Sequence, residues 1–245
     1  MIKEIIKLGK ILISDKILRY KLRYRYFTDS IENKGTNNKA VIVYPDGREE
    51  NITYIEGLNI QFIGNNNIFK LYHPLPKFIN CQIQMINDAE FILHESKYTL
   101  KNFIVWRMRK GSKLEIGKDF SCVGVEFALH GEDNLQVHIG ENCMFSHDIY
   151  IQPTDNHAII DKNTMQPINF GGDILIGNHV WICPNVHIHK NVTIADDCVV
   201  GTCSIVTKSI NEEGCVAVGM PAKVIKRNIT WSRSSAPDYI IRGFN

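Results

Sequence analysis

The sequence lacks the features that mark several large classes of protein. It contains no C-x-x-C pair, and its seven cysteines are an odd number spread along the chain, so we expect neither a metal site nor a disulfide framework. No run of about 18 apolar residues is present, and we therefore expect no membrane-spanning helix. No secretory cleavage site follows the N-terminus, which favours a reducing, cytoplasmic location.

A period of six residues is the strongest pattern in the sequence. From residue 176 to residue 223 the chain reads IGNHVW, ICPNVH, IHKNVT, IADDCV, VGTCSI, VTKSIN, EEGCVA and VGMPAK, and seven of these eight units begin with Ile or Val. Neither a helical period nor simple strand alternation has this spacing. A coil with three flat walls does, because each wall takes one unit and successive coils stack as parallel strands. The repeat therefore predicts a mainly β protein, a parallel β-helix.

Weaker copies of the repeat and two interruptions set the expected domain limits. We expect the β-helix over 58–227, after an N-terminal appendage with the first strands at 1–57 and before a tail at 228–245. The stretches at about 123–137 and 152–173 break the period. Loops that project from a regular solenoid often carry the site, and the second stretch is predicted to do so. A region upstream of both, between 70 and 115, is expected to form irregular coils.

Charge is nearly balanced over the whole chain but not along it. The formal net charge is +2, which gives no reason to expect nucleic acid as a partner. Residues 1–26, however, carry eight basic residues against two acidic ones and mix them with apolar residues at partly helical spacing. A basic amphipathic segment of this kind can cap the open end of the solenoid, contact another subunit or lie on the inner face of an anionic membrane, and these alternatives stay open.

The six-residue units resemble the [LIV]-G-x-x-[STAV]-x repeats of the hexapeptide-repeat acyltransferase superfamily. Between 139 and 231, the segments IGENCMFSHDIYIQPTDNHAIID, PINFGGDILIGNHVWI, GTCSIVTKSI and VGMPAKVIKRN are similar to its sugar and polysaccharide O-acetyltransferase branch. That branch includes galactoside, capsule and sialic acid O-acetyltransferases. The resemblance implies a left-handed β-helix, acetyl-CoA as co-substrate, no metal, and a homotrimer with active sites between subunits. The implied reaction is O-acetylation of a bacterial surface glycan, such as a capsule, lipo-oligosaccharide or sialic acid.

The resemblance places the catalytic base at His157, in the T-D-N-H motif at the start of the second interruption. An imidazole suits this role because its pKa lies near working pH, so it can take a proton from an attacking sugar hydroxyl. Asp155 is expected to orient His157 or to bind a sugar hydroxyl. Direct attack needs no covalent acyl-enzyme, and Cys183 and Cys203 therefore need not act as nucleophiles.

Three further residues are candidate contacts of the acceptor. Trp181 follows the H-V motif and is expected to face the cleft, where an indole stacks on a sugar or on the pantetheine arm. Glu126 falls near an acceptor-contacting position of galactoside acetyltransferases. His147 is a weaker candidate for the lining of the cleft, with a structural or surface role as the alternative.

The segment GTCSIVTK at 201–208 resembles the wall that runs along the pantetheine arm in the family. Its small residues would allow close approach, and nearby cations would neutralise the coenzyme phosphates. Expected cofactor contacts are Cys203, Ser204, Thr207, Lys208, Lys223 and Arg227.

The sequence departs from the family pattern at Pro184. Sugar acetyltransferases hold the thioester oxygen with a backbone N–H shortly after a W-I-G turn, but here the turn reads W-I-C-P, and proline has no N–H. Either a neighbouring amide donates instead or this stabilisation is weaker.

Two other functions remain open. One is N-acetylation of an amino-sugar nucleotide on the same fold, which would require a phosphate-binding acceptor site. The other is a non-catalytic β-helix that serves as a scaffold or binds glycans. The T-D-N-H motif and the V-T-K wall favour the transferase over the scaffold.

Overall fold

The computed structural model describes residues 30–242, with side chains up to residue 240. In this range the strands, numbered in chain order, form three eight-stranded sheets, here called wall 1, wall 2 and wall 3. Wall 1 consists of β1 (Ser30–Asn33), β4 (Leu58–Phe62), β7 (Cys81–Met85), β10 (Phe103–Met108), β13 (Val125–Ala128), β16 (Ile149–Gln152), β19 (His187–His189) and β22 (Ile205–Val206).

The other two walls are built in the same way. Wall 2 consists of β2 (Lys39–Val43), β3 (Glu49–Asn51), β5 (Ile68–Tyr72), β8 (Glu90–Leu93), β11 (Lys113–Ile116), β14 (Gln136–Ile139), β17 (Ile174–Ile176) and β20 (Val192–Ile194). Wall 3 consists of β6 (Lys77–Ile79), β9 (Thr99–Lys101), β12 (Ser121–Cys122), β15 (Met144–Phe145), β18 (Trp181–Ile182), β21 (Val199–Val200), β23 (Val216–Gly219) and β24 (Ala222–Lys226). A short helix, α1 (Ala236–Arg242), follows.

Parallel pairing dominates all three walls. In the described range, antiparallel pairing of named strands occurs between β2 and β3 at one end and between β23 and β24 at the other. The chain moves from wall to wall and returns to each wall one coil later, which is the arrangement of a parallel β-helix. The prediction of a mainly β protein with this architecture is confirmed.

The first residue of each of the first six units fills the interior, whereas Glu212 and Val218, which begin the last two, are only partly buried. Ile176, Ile182, Ile188, Ile194 and Val200 are all buried to 1% exposure or less, and they belong to the main core that runs along the coil. Each wall thus takes one unit, because a bulky inward side chain is needed once per wall to fill the triangular cross-section.

The expectation of irregular coils between 70 and 115 was wrong. β5 to β10 continue the same three walls in register, with a single interruption in the pairing of β7 with β10, between Val105 and Met108. Phenylalanine replaces Ile and Val in the interior here. Phe69 stacks on Phe91 with ring centroids 4.8 Å apart, and Phe91 meets Phe103 edge to face. A search for repeating Ile and Val residues therefore did not detect the six-residue period in these coils.

Asparagine and aspartate make most of the turns between walls. Of the 18 non-glycine residues with positive φ in the described range, ten are Asn and four are Asp. These two residues tolerate the left-handed region because their short side chains bond to nearby backbone. The other four are Arg107, Met165, His179 and Cys203.

The ends of the chain modify the expected outline. β1 and β2 already pair in parallel with β4 and β5, so the coil extends upstream of residue 58. The basic segment 1–26, to which capping, subunit contact or membrane association was assigned, lies outside the described residues. Among those that are described, no helix is long and apolar enough to cross a membrane.

Candidate functional site

The chain leaves the coil between β16 on wall 1 and β17 on wall 2, and residues 153–173 form a protruding loop, here called the excursion. Its two arms pair, since the Ile168 N–H donates to the Ile159 carbonyl at 2.9 Å. At the tip, the Asp161 carboxylate accepts the backbone N–H groups of Asn163 and Thr164. The excursion is therefore an ordered arm at the corner between walls 1 and 2.

His157 lies on the first arm of the excursion, with its side chain exposed. It lines a cavity of about 270 Å³ together with Glu132, Asn156, Asn169 and Phe170. The His157 carbonyl accepts a hydrogen bond from Asn169 Nδ2 at 2.9 Å, which ties its backbone to the returning arm. The ring is thus accessible to a substrate while its backbone is fixed.

Asp155 is the centre of a network that spans the base of the excursion. Its Oδ2 atom accepts hydrogen bonds from Lys190 Nζ at 2.5 Å and from Asn169 Nδ2 at 2.8 Å. Lys190 Nζ also donates to the Asn169 carbonyl at 2.7 Å. The Lys190 ammonium and then the Asn169 amide lower the pKa of Asp155 below its ordinary value, so it remains a carboxylate.

This network changes the role expected for Asp155. The hydrogen bonds of its carboxylate go to Lys190 and Asn169, and among the described contacts it reaches His157 only through Asn169, which bonds to the His157 carbonyl. Asp155 thus braces the backbone of the excursion through Lys190 and Asn169. Sequence reasoning missed Lys190 and Asn169, because they lie one coil away and on the opposite arm.

Glu132 fixes a second loop to the excursion. Its Oε1 atom accepts the Thr154 hydroxyl and the Gly171 N–H, both at 2.8 Å. The two loops approach so closely that a Cβ at Gly131 would lie 2.4 Å from Asn156 Oδ1. Glu132 belongs to the first stretch that breaks the period. That interruption was the signal in the sequence that could have identified Glu132 as a residue of the site.

The outer face of wall 1 carries two adjoining cavities that share Glu126 and Tyr150 and are here called the wall 1 groove. The cavity near the start of the strands has about 210 Å³ and is also lined by Asn102, Gly124, Val125, Asp148, Ile149 and His187. The cavity near the ends of the strands has about 500 Å³ and is also lined by Gln84, Trp106, Arg107 and His130. The groove thus runs across wall 1 to the corner where the excursion begins.

Glu126 lies in the middle of this groove. Its Oε2 atom accepts the Trp106 indole N–H at 2.9 Å, and its backbone is paired with Tyr150 one coil further on. Burial, and then the negative charge of Glu126, raise the pKa of Tyr150, so its hydroxyl remains protonated. The groove therefore combines two aromatic faces with hydrogen-bonding groups, which is a suitable surface for a sugar.

His147 and Trp181 lie away from His157 within one protomer. His147 is at the corner between walls 3 and 1, at the opposite end of wall 1, and its Nδ1 atom contacts Asp148 Oδ2 at 2.8 Å. Trp181 is on wall 3, where it packs against Trp231 of the tail with ring centroids 5.9 Å apart. The tail makes Trp181 half-buried, a contact that the expectation of a cleft-facing indole did not include.

The expected cofactor residues do not form one cluster in the protomer. Cys203 and Thr207 are exposed, on the turns that flank β22, and Lys208 is exposed beside Thr207. Lys223 lies on the outer strand of wall 3. Arg227 Nε pairs with Glu212 Oε1 at 2.7 Å, so its charge is already balanced.

Ser204 requires a correction, because its side chain lies inside the coil. It is fully buried, and its hydroxyl accepts the Gly219 N–H at 3.0 Å. A contact with the cofactor at this position would have to come from the backbone.

The amides on either side of Pro184 are engaged in the coil. Cys183 N–H donates to the Val200 carbonyl at 2.9 Å, and Asn185 N–H donates to the His147 carbonyl at 3.1 Å. Neither of these neighbours is therefore available in this conformation to replace the missing N–H as an oxyanion donor.

Comparison with known proteins gives consistent matches. Residues 173–208 match the family model described as bacterial transferase hexapeptide (six repeats). A polysialic acid O-acetyltransferase of Neisseria meningitidis is 37% identical over 168 residues, which cover 60% of this chain and 76% of that protein. A polysialic acid O-acetyltransferase of Escherichia coli O1:K1 is 37% identical over 131 residues, but the match spans 54% of this chain and only 42% of that protein.

One solved structure extends the likeness to nearly the whole fold. The crystal structure of the polysialic-acid-specific acetyltransferase NeuO superposes with a TM-score of 0.70 at 29% sequence identity. The alignment covers 88% of this chain and 94% of that one. The similarity therefore includes the upstream coils, where the sequence offered no motif.

Proposed function

The chain belongs to the sugar and polysaccharide O-acetyltransferase branch of the hexapeptide-repeat acyltransferases, and from this premise we propose that it acetylates a hydroxyl of a bacterial surface glycan. Acetyl-CoA is the donor, and a capsule, lipo-oligosaccharide or sialic acid is the acceptor. The observation that carries the proposal is the exposed His157 in its cavity, at the corner to which the wall 1 groove leads.

His157 acts as general base in the proposed mechanism. Its imidazole takes the proton of the acceptor hydroxyl as that oxygen attacks the acetyl carbonyl of the thioester. The new C–O bond forms, the C–S bond breaks, and the proton held by the imidazole passes to the departing sulfur. Such a base contributes roughly 10²- to 10⁴-fold to the rate.

The acceptor lies in the wall 1 groove. Trp106 and Tyr150 offer apolar ring faces, and Glu126 accepts hydrogen bonds from hydroxyl groups, which are the two kinds of contact that a sugar requires. The proposal keeps the acceptor-binding role expected for Glu126 and places that contact in the wall 1 groove, not directly beside His157.

The complete site forms between subunits of a homotrimer. Trp181 and the expected coenzyme contacts Cys203, Thr207, Lys208 and Lys223 lie on other walls and corners than His157, so a neighbouring subunit supplies them. The excursion presents a set of exposed apolar side chains, which mark a surface for association. These side chains are Ile159, Ile160, Met165, Ile168 and Phe170. We also propose the left-handed winding of the family and a cytoplasmic location, with membrane contact through residues 1–26 as one of the open alternatives beside capping and subunit contact.

The test is an acetyl-CoA consumption assay with sialosides, galactosides and amino-sugar nucleotides as acceptors. His157→Asn should lower kcat by about 10²- to 10⁴-fold, because it removes the base and keeps the size of the side chain. The matched control is His138→Asn, at an exposed position on wall 2, which should leave kcat unchanged. Full activity of His157→Asn would refute the proposed base, and a preference for amino-sugar nucleotides would favour N-acetylation.

A further inference from the structure

Arg107 has an unusual backbone conformation at the edge of the wall 1 groove. It adopts φ = 42°, where a residue other than Gly, Asn or Asp is uncommon. It lies at the register shift between Val105 and Met108, an irregularity in the pairing of β10 with β7. Irregularities of this kind re-aim a side chain and are concentrated near active sites. The distortion places Arg107 in the lining of the larger cavity.

The guanidinium of Arg107 is exposed and has no partner within the described part of the chain. Nearby Arg109, in contrast, pairs with Asp133 at 2.7 Å. Between residues 30 and 242, we find neither an ion pair nor a hydrogen bond of the Arg107 side chain. A strained position that holds a guanidinium without an ion pair in a groove suits an anionic ligand.

The residues around Arg107 indicate the chemistry of such a ligand. His130 lines the same cavity, and burial, followed by the positive charge of Arg107, lowers its pKa, so its ring is neutral at neutral pH. The Nδ1 atom of His130 is buried without a hydrogen-bond partner. Trp106 and Tyr150 supply ring faces, and Glu126 supplies an acceptor. The cavity thus combines a cation that has no ion pair among the described residues, the Glu126 carboxylate that accepts the Trp106 indole N–H, a neutral imidazole and apolar ring faces.

We propose that Arg107 binds the carboxylate of an acidic sugar and makes the enzyme selective for sialic-acid-like acceptors over neutral ones. This inference rests on the proposed function. The planar guanidinium matches a carboxylate with two parallel hydrogen bonds, while hydroxyl groups of the same sugar donate to Glu126. β10 and β16 are two strand spacings apart, about 10 Å, so the recognised sugar lies beside the one whose hydroxyl meets His157.

The experiment compares oligosialic acid with its methyl ester, in which the carboxylates are masked. Arg107→Met should raise KM for oligosialic acid by about 10- to 100-fold, the range expected for loss of a charge-assisted hydrogen-bonded pair. For the methyl ester, wild type and Arg107→Met should have the same KM. The KM of Arg107→Lys for oligosialic acid should be intermediate, because lysine keeps the positive charge but cannot form the two parallel hydrogen bonds of a guanidinium. The control is Arg48→Met, which removes an exposed arginine from the turn between β2 and β3 and should change neither value.

Direct binding separates this inference from the proposed function. Titration calorimetry with oligosialic acid should give a weaker Kd for Arg107→Met than for wild type, whether or not acetyl transfer is observed. If neither protein acetylates any acceptor but carboxylate-dependent binding is lost in Arg107→Met, the proposed function fails and the groove assignment stands. If acetylation and binding of oligosialic acid are the same in wild type and Arg107→Met, the assignment is overturned and the proposed function is not.

Discussion

At the scale of single residues, the ammonium group of Lys190 holds together the two arms of the excursion where they leave the coil. Lys190 arrives from the coil that follows, and its side chain is only 21% exposed. It joins the two arms of the excursion, since it bonds to Asp155 on the outgoing arm and to the Asn169 carbonyl on the returning arm. The position of the His157 backbone therefore follows from a contact that lies outside the T-D-N-H motif.

Lys190→Met should lower kcat by about tenfold or more if His157 is the proposed base, because misplacing a catalytic group by about 1 Å costs up to 100-fold. The KM for acetyl-CoA should change little, since in the proposed trimer a neighbouring subunit supplies the residues expected to bind the coenzyme. Steady-state kinetics measure both values. The matched control is Lys162→Met, the same substitution at the exposed tip of the excursion.

A double variant checks whether the network acts as one unit. Lys190→Met combined with Asp155→Asn should be little worse than either single variant, because each already breaks the brace. Additive losses would contradict this interpretation, as would failure of Lys190→Arg to restore activity.

At the scale of elements, the tail that follows β24 secures the outer face of wall 3. Trp231 stacks on the His179 ring with centroids 4.2 Å apart and donates its indole N–H to the His179 carbonyl at 2.6 Å. Arg233 bonds to the Ser121 hydroxyl and to the Cys143 carbonyl. These contacts bridge three successive coils, so the tail acts as a clamp on the solenoid.

Trp231→Ala should lower the free energy of unfolding by about 3 kcal/mol, because it removes a large buried side chain and one hydrogen bond. Urea denaturation should show a lower midpoint with an unchanged slope. The control on the same tail is Ile240→Ala, whose side chain is 76% exposed and whose loss should have little effect. An unchanged midpoint for Trp231→Ala would mean that the tail does not stabilise the coil.

At the scale of the whole molecule, the excursion carries five of the 14 exposed large hydrophobic side chains of the described chain. Ile168→Asp, which places a charge on a side chain that is 62% exposed, should dissociate the proposed trimer. Analytical ultracentrifugation measures the mass. Tyr54→Asp, at an exposed position between β3 and β4, is the control and should leave the trimer intact. A variant at Ile168 that remains trimeric would exclude the excursion as a subunit contact.

Much of the fold was predictable because the pattern that encodes it is local. An Ile or Val every six residues requires only that each wall bury one bulky side chain, and residues 176–206 follow this rule directly. The upstream coils were harder to recognise, since Phe69, Phe91 and Phe103 fill the same interior with rings. The excursion and its histidine were marked by the interruption of the period and by the T-D-N-H motif.

What the sequence by itself determined was the coil, its core and the loop that carries His157. Only the tertiary structure decided which outward side chains meet. Glu126 lies beside Tyr150, and Tyr150 beside His187, because parallel strands align across coils of unequal length. The same stacking brings Lys190 to Asp155 and opens the wall 1 groove beside Arg107. Inward positions repeat along the chain, whereas outward neighbours depend on the register between coils and on how many residues each turn inserts.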